Sequence, residues 1–170
     1  MNTRFSVLVT IIVALTVFTI LPHPPNFSPV AAMALFGGAY FSDKRHAFLI
    51  PFLAMFISDL ILGLHPSMVF VYGAFALTVA MGIWLRDRIS MTTVAGAAVA
   101  SSVLFYLITN FGVWIIGGWY PLTMEGLIAC YVAAIPFFQN TLLGNLFFTI
   151  LLFGGFRLLE RGFPALSKAA

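Results

Sequence analysis

Charged residues are scarce in this sequence. Its 170 residues include only eight Lys or Arg and five Asp or Glu, so 8% are charged, whereas 62% are hydrophobic. Because soluble domains carry roughly a quarter charged residues, this composition cannot supply a water-facing surface. The mean hydropathy of +1.08 agrees with that conclusion. The sequence therefore predicts a membrane protein whose surroundings are the lipid bilayer.

Cysteine and catalytic motifs are scarce as well. Cys130 is the only cysteine, which excludes an intramolecular disulfide and a multi-cysteine metal site. No two carboxylates stand at short helical spacing, no His-x-x-x-His occurs, and no glycine pair carries the Lys and Ser/Thr of a phosphate loop. We therefore predict that the protein is not an enzyme and holds no metal or cofactor. Its basic residues are too scattered for a nucleic-acid partner.

Long apolar runs are what the sequence has in abundance. A spanning helix needs about 20 mostly apolar residues, and prolines or charges end each run here. The stretch 127–135 is apolar but too short to span, and Pro136 follows it, so we expect an interfacial or re-entrant segment there. The prediction is an all-α, polytopic membrane protein with one transmembrane domain over residues 1–170. Its six helices lie at about 5–21, 29–41, 47–64, 69–85, 92–117 and 137–156.

The first run also has the length of a signal peptide. Small residues suited to cleavage, however, come only at positions 31–34, beyond a proline-rich stretch at 22–25. That order favours a retained helix, which we adopt.

Basic residues mark one side of the predicted bundle. Six spans with the N-terminus inside place every Lys and Arg in inner segments and none in the outer loops. Cytoplasmic loops of membrane proteins carry an excess of Lys and Arg, so we predict that both termini are cytoplasmic. These residues are Arg4, Lys44, Arg45, Arg86, Arg88, Arg157, Arg161 and Lys168.

Polar side chains gather toward the opposite, outer side. Asp59 is the only acid within a predicted span and lies about 7 Å below the outer end of its helix. Tyr106, Asn110 and Trp114 recur every four residues and therefore share one stripe. Polar groups in hydrocarbon are costly and commonly functional, and amides flanked by aromatic rings suit a small polar ligand. The candidate substrate-binding residues are His23, Asn26, Asp59, Tyr72, Tyr106, Asn110, Trp114 and Asn140.

Buried polar residues also have a structural explanation. Asn and Ser often join membrane helices by hydrogen bonds, and we favour that role for Asn145 and Ser102. Asp59 could equally accept bonds from a helix end, and Cys130 is typical of an inert apolar filler. A structural or assembly protein of this kind would have a dry, closely packed outer half, whereas a substrate-binding protein would have an enclosed outer cavity.

Five sequence segments together resemble a known family. The chain is similar to an uncharacterised family of small bacterial membrane proteins that are regarded as transport proteins, and these resemble the substrate-binding S components of energy-coupling factor (ECF) transporters. The resemblance covers nearly the whole chain. Its segments are LPHPPNFSP (21–29), ALFGGAY (34–40), SDL (58–60), TNFGVW (109–114) and PFFQNT (136–141).

The resemblance implies six helices, a bacterial inner-membrane location and an outward-facing site for a vitamin or precursor, capped by outer loops. It also implies a transmembrane coupling subunit with ATPases as partners. S components often carry an Ala-x-x-x-Ala pattern on the first helix for that contact, but here Ala14 has Thr10 and Phe18 at those offsets. An alternative is a solitary cobalamin transporter, in which Cys130, His23 or His65 would bind cobalt.

Overall fold

Helices make up nearly all of the regular structure. The computed structural model describes residues 2–167, and over that range the chain forms no strand. Side chains of Asn2, Asp43, Ser90 and Thr123 accept bonds from backbone N–H groups at four helix starts, which stabilises these starts. The helices are α1 (Thr3–Ile20), α2 (Val30–Tyr40), α3 (Lys44–Leu62), α4 (Met68–Leu85), α5 (Met91–Ile116), α6 (Met124–Thr149), a π-helical turn (Ile150–Gly154), α7 (Gly155–Gly162) and a 3-10 turn (Pro164–Leu166).

Five helical segments are long and apolar enough to cross a membrane: α1, α3, α4, α5 and the continuous stretch Met124–Gly162. The helix α2 is a shorter apolar helix. The predicted all-α fold with several membrane-type helices is therefore confirmed. Both ends of α1 to α5 lie within three residues of the predicted positions, because proline or charge ends each apolar run sharply.

The expected start of the last helix was wrong. No separate short segment precedes Pro136: α6 begins at Met124, runs through Pro136 and continues through the π-helical turn into α7. The resulting 39-residue stretch is about 58 Å long, well beyond a hydrocarbon core of about 30 Å. Membrane helices tolerate a proline because neighbouring helices and local adjustments satisfy the freed backbone groups. Pro51 within α3 is a second example.

The short helix α2 is the centre of the bundle. Nine consecutive residues, Ala32–Tyr40, are buried, and α2 contacts α1, α3, α4, α5 and α6. Its closest neighbour is α4: a Cβ on Gly38 would lie 2.4 Å from the carbonyl oxygen of Val79, and one on Gly82 would lie 2.3 Å from that of Leu35. The two backbones therefore touch, as small residues allow in membrane helices.

Arginines tie several helix ends together at one end of the bundle, which we call the basic end. Arg4 at the start of α1 donates to Glu160 Oε1 of α7 at 2.7 Å and to the carbonyl of Leu166. Arg86, just after α4, donates to three backbone carbonyls at the end of α2 and in the turn that follows. The predicted inner residue Lys168 lies outside the described residues.

Candidate functional site

A cavity of about 190 Å³ lies near the end of the bundle opposite the basic end. Five helices and one loop line it. The loop, residues 21–29, joins α1 to α2, and we call it the cap loop. The lining residues are Asn26 and Ser28 of the cap loop, Val30 and Ala31 of α2, Met55 and Asp59 of α3, Val71, Phe75 and Thr78 of α4, Phe105 of α5, and Thr141 and Asn145 of α6.

Asp59 is the only charged residue among those that line this cavity in the described chain. The Tyr72 hydroxyl donates to its Oδ2 at 2.7 Å, so α4 orients the carboxylate. Within residues 2–167, that is the only hydrogen bond to the carboxylate, whose other oxygen can still accept one. The remaining wall is largely apolar, with Phe75 and Phe105 providing aromatic surface. This combination of an apolar wall and a few directed polar groups is typical of small-molecule sites.

The cap loop is held against α6. The Asn140 amide donates to the carbonyl oxygen of Pro25 at 2.9 Å, and a Cβ on Gly144 would lie 3.1 Å from Phe27 Cα. Asn26, at the tip of the loop, has a φ of 63°, a left-handed conformation that Asn adopts more readily than most residues. The loop therefore covers the cavity with its backbone fixed at Pro25.

The floor of the cavity is a buried hydrogen-bond network. Asn145 Nδ2 lies 2.9 Å from three acceptors on α5, namely the carbonyl of Ala98 and the hydroxyls of Ser101 and Ser102. Its Oδ1 accepts from Thr149 at 3.3 Å. Asn145 is 1% exposed, so the predicted helix-joining role of Asn145 and Ser102 agrees with these contacts. Asn145 also lines the cavity, although it is not among the residues predicted to bind a substrate.

Four of the eight candidate residues surround the cavity and four do not. Asn26 and Asp59 line it, Tyr72 holds Asp59, and Asn140 holds the cap loop. His23 instead lies beside α1, with Nε2 3.2 Å from the carbonyl of Thr19 and its ring stacked on Phe18.

The other three candidates, the stripe on α5, lie against the first half of α6 and the turn that precedes it. The Tyr106 hydroxyl donates to the carbonyl of Tyr131 at 2.5 Å, and the Trp114 indole donates to that of Pro121 at 3.0 Å. Asn110 donates to the Tyr106 carbonyl of its own helix. Since α6 begins thirteen residues earlier than predicted, its first half packs beside the stripe at a place where no helix was expected. Thr141 and Asn145 are four residues apart on α6 and do reach the cavity, so their helical spacing is the sequence signal that points to it.

Metal-binding residues do not gather anywhere in residues 2–167: no group of three His, Cys, Asp or Glu side chains is close enough to hold an ion. His65 pairs with the Ser67 hydroxyl at 2.9 Å. Cys130 is 2% exposed and lies between α5 and α6, with Sγ 3.5 Å from the carbonyl of Asn110. These contacts suit an apolar filler better than a ligand to cobalt.

Comparison with known proteins places the chain in a family. The model of DUF6580, described as a family of unknown function, matches residues 1–166. The chain belongs to DUF6580. No curated protein and no solved structure matches it.

The cavity of this DUF6580 protein offers a small set of polar contacts. Asp59 accepts hydrogen bonds or pairs with a cation, while Thr141 and Asn26 offer neutral polar contacts. The first turn of α2 also reaches the wall through Val30 and Ala31. The lining thus presents one acidic group among apolar and neutral polar residues.

Proposed function

We propose that this DUF6580 protein is a substrate-binding membrane component for the uptake of a small molecule, a vitamin or precursor. The observation that carries the proposal is the cavity opposite the basic end, with the Asp59 carboxylate in its wall. A purely structural protein would have a dry, closely packed half at that position. The cavity therefore supports ligand binding over the structural alternative.

The cavity sets the kind of ligand. Its volume of about 190 Å³ is below the roughly 300 Å³ at which pockets for drug-sized ligands begin, so a macrocycle such as cobalamin does not fit. The ligand presents a hydrogen-bond donor or a positive charge to Asp59. Its apolar part packs between Phe75 and Phe105, and Asn26 and Thr141 complete the polar contacts.

Orientation follows from the basic end. The positive-inside rule supports a cytoplasmic basic end, and with it a cap loop and cavity on the outer side of a bacterial inner membrane. Release of Asn140 from Pro25 would let the cap loop open for ligand entry. The resemblance to S components supports a coupling subunit with ATPases as the source of energy, although the Ala-x-x-x-Ala contact pattern is missing from α1.

The experiment is to purify the protein from its native membrane and identify a retained small molecule by native mass spectrometry, then to measure its rebinding. We expect Asp59→Asn to lower the affinity at least about tenfold, because hydrogen bonds to charged groups contribute roughly 1.5–3 kcal/mol. Asn110→Ala is the matched control, because Asn110 bonds within its own helix and lies away from the cavity.

Unchanged affinity in Asp59→Asn, with Asn110→Ala also unchanged, would remove Asp59 and this cavity from the proposal. Both variants must keep the wild-type elution volume and thermal midpoint, so that a loss of binding reports on the site and not on folding.

A further inference from the structure

Two neighbouring cavities at the basic end share two lining residues. The first, of about 310 Å³, is lined in part by the charged residues Arg4, Arg86, Arg157 and Glu160. The second, of about 290 Å³, is an apolar groove between α5 and the last helix. Ile89 and Arg157 line both. We propose that the two cavities are the headgroup and acyl-chain halves of one site for an anionic phospholipid.

The headgroup half has an excess of positive charge, since three arginines face one glutamate. Two of these arginines are already engaged: Arg86 by three backbone carbonyls, and Arg4 by Glu160 and Leu166. Even so, Arg4 Nε is buried without a hydrogen-bond partner in the part of the chain that the structure describes. A buried donor of this kind is costly unless something accepts from it.

Arg157 is the arginine with its donors available. It is exposed, and no hydrogen bond or ion pair connects it to another residue of the described range 2–167. A guanidinium offers paired donors that match a phosphate group. Basic pockets between membrane helices on the cytoplasmic side are known to bind anionic headgroups. Arg157 is therefore the main phosphate contact in the proposed site.

The acyl-chain half is opened by the π-helical turn. Residues of this turn form one wall of the groove, and a Cβ added at Gly154 would meet no atom within 4 Å. Such turns occur frequently at functional sites. The opposite wall belongs to the start of α5, and the groove is lined by Met91, Val94, Ala95, Leu146, Ile150 and Phe153 among others.

The two cavities meet, and this favours a phospholipid over free phosphate as the ligand. A free anion needs only the arginines and gains nothing from an apolar groove. A phospholipid needs a charged group and an apolar channel that meet at one point, and Arg157 and Ile89 lie at that point. The helices around the groove are membrane-type helices, so lipid tails surround it on the open side.

The headgroup half is tested by native mass spectrometry of the full protein after incubation in detergent with phosphatidylglycerol or, separately, with zwitterionic phosphatidylcholine. Wild type should retain phosphatidylglycerol in preference. Arg157→Gln should lower that retention about fivefold and leave phosphatidylcholine unchanged, as expected for the loss of one basic residue near an anionic lipid. Arg161→Gln is the matched control, because Arg161 lies on the same helix and lines neither cavity.

The acyl-chain half is tested by filling the groove. Gly154→Leu should reduce the retention of both lipids, whereas Gly155→Leu should not, because Gly155 has equally open space but does not line the groove. Gly154→Ala, with a smaller side chain in the same space, serves if the leucine variant does not fold. The proposal is overturned if Arg157→Gln and Arg161→Gln behave alike. It is also overturned if Gly154→Leu has no effect on lipid retention while inorganic phosphate displaces the lipid, because the site would then bind a free anion.

Discussion

The side chain of Asn145 acts on two regions of the molecule at once. Its amide nitrogen lies within bonding distance of three acceptors on α5, its oxygen accepts from Thr149, and the same residue lines the cavity. Hydrogen bonds between membrane helices average about 0.6 kcal/mol and reach about 1.7 kcal/mol. A network of this density therefore belongs at the upper end of that range.

We predict that Asn145→Ala destabilises the protein by about 1–2 kcal/mol, because α6 loses its hydrogen bonds to α5 and a small void opens. Unfolding in mixed micelles of mild detergent and dodecyl sulfate measures this. Thr109→Ala, which removes only a bond within α5 to Phe105, should change stability by less than about 0.5 kcal/mol. Equal effects would mean that the network contributes no more than a local helix bond.

The sequence allowed some of these residues to be anticipated and not others. Asp59 stands out because an acid within an apolar run is rare, and no structure is needed to notice it. Whether Asn110 or Asn145 reaches a cavity depends on which helix packs beside it, and that depends on where α6 begins. Pro136 reads as a helix end in a sequence, but packing against α5 lets the helix continue through it.

At the scale of helices, the contact of α2 with α4 is the tightest in the bundle. Gly38 and Gly82 each leave no room for a Cβ beside a backbone carbonyl of the other helix. Backbone atoms cannot yield as the end of a flexible side chain can, so a larger residue must push the helices apart.

Gly82→Ala is predicted to destabilise the protein by about 1–3 kcal/mol through this overpacking. The control is Gly73→Ala on the same helix, where an added Cβ meets nothing within 4 Å. There, alanine should leave stability unchanged or raise it by up to about 1 kcal/mol, through its better helix propensity. Thermal unfolding in detergent compares the two variants, and a harmless Gly82→Ala would contradict the close approach.

At the scale of the whole molecule, the two ends differ in chemistry. Arginines cross-link helix ends at the basic end, whereas the opposite end has the cap loop, the cavity and the exposed Trp119. The difference between the two ends could be predicted from the sequence, because it depends only on where Lys and Arg occur along the chain. The cavity could not be predicted in the same way, since its wall forms only where five helices meet.

The orientation can be tested with single cysteines in a Cys130→Ser background. We expect Trp119→Cys to react with a membrane-impermeant maleimide in cells whose inner membrane is intact, because the positive-inside rule places that end outside. Ser167→Cys should react only after the membrane is opened. The reverse pattern would place the cavity on the cytoplasmic side.

The glycine contact between α2 and α4 also determines which parts of the protein can move. The two helices are fastened to each other near the basic end, where Gly38 and Gly82 lie backbone to backbone and Arg86 donates to the carbonyls of Gly38 and Phe41. Close-packed interiors have low compressibility, so the ends of α2 and α4 that meet there are held in place relative to each other. Any motion that admits or releases a ligand is therefore expected at the opposite end of the bundle, in the cap loop and in the helix ends that line the cavity.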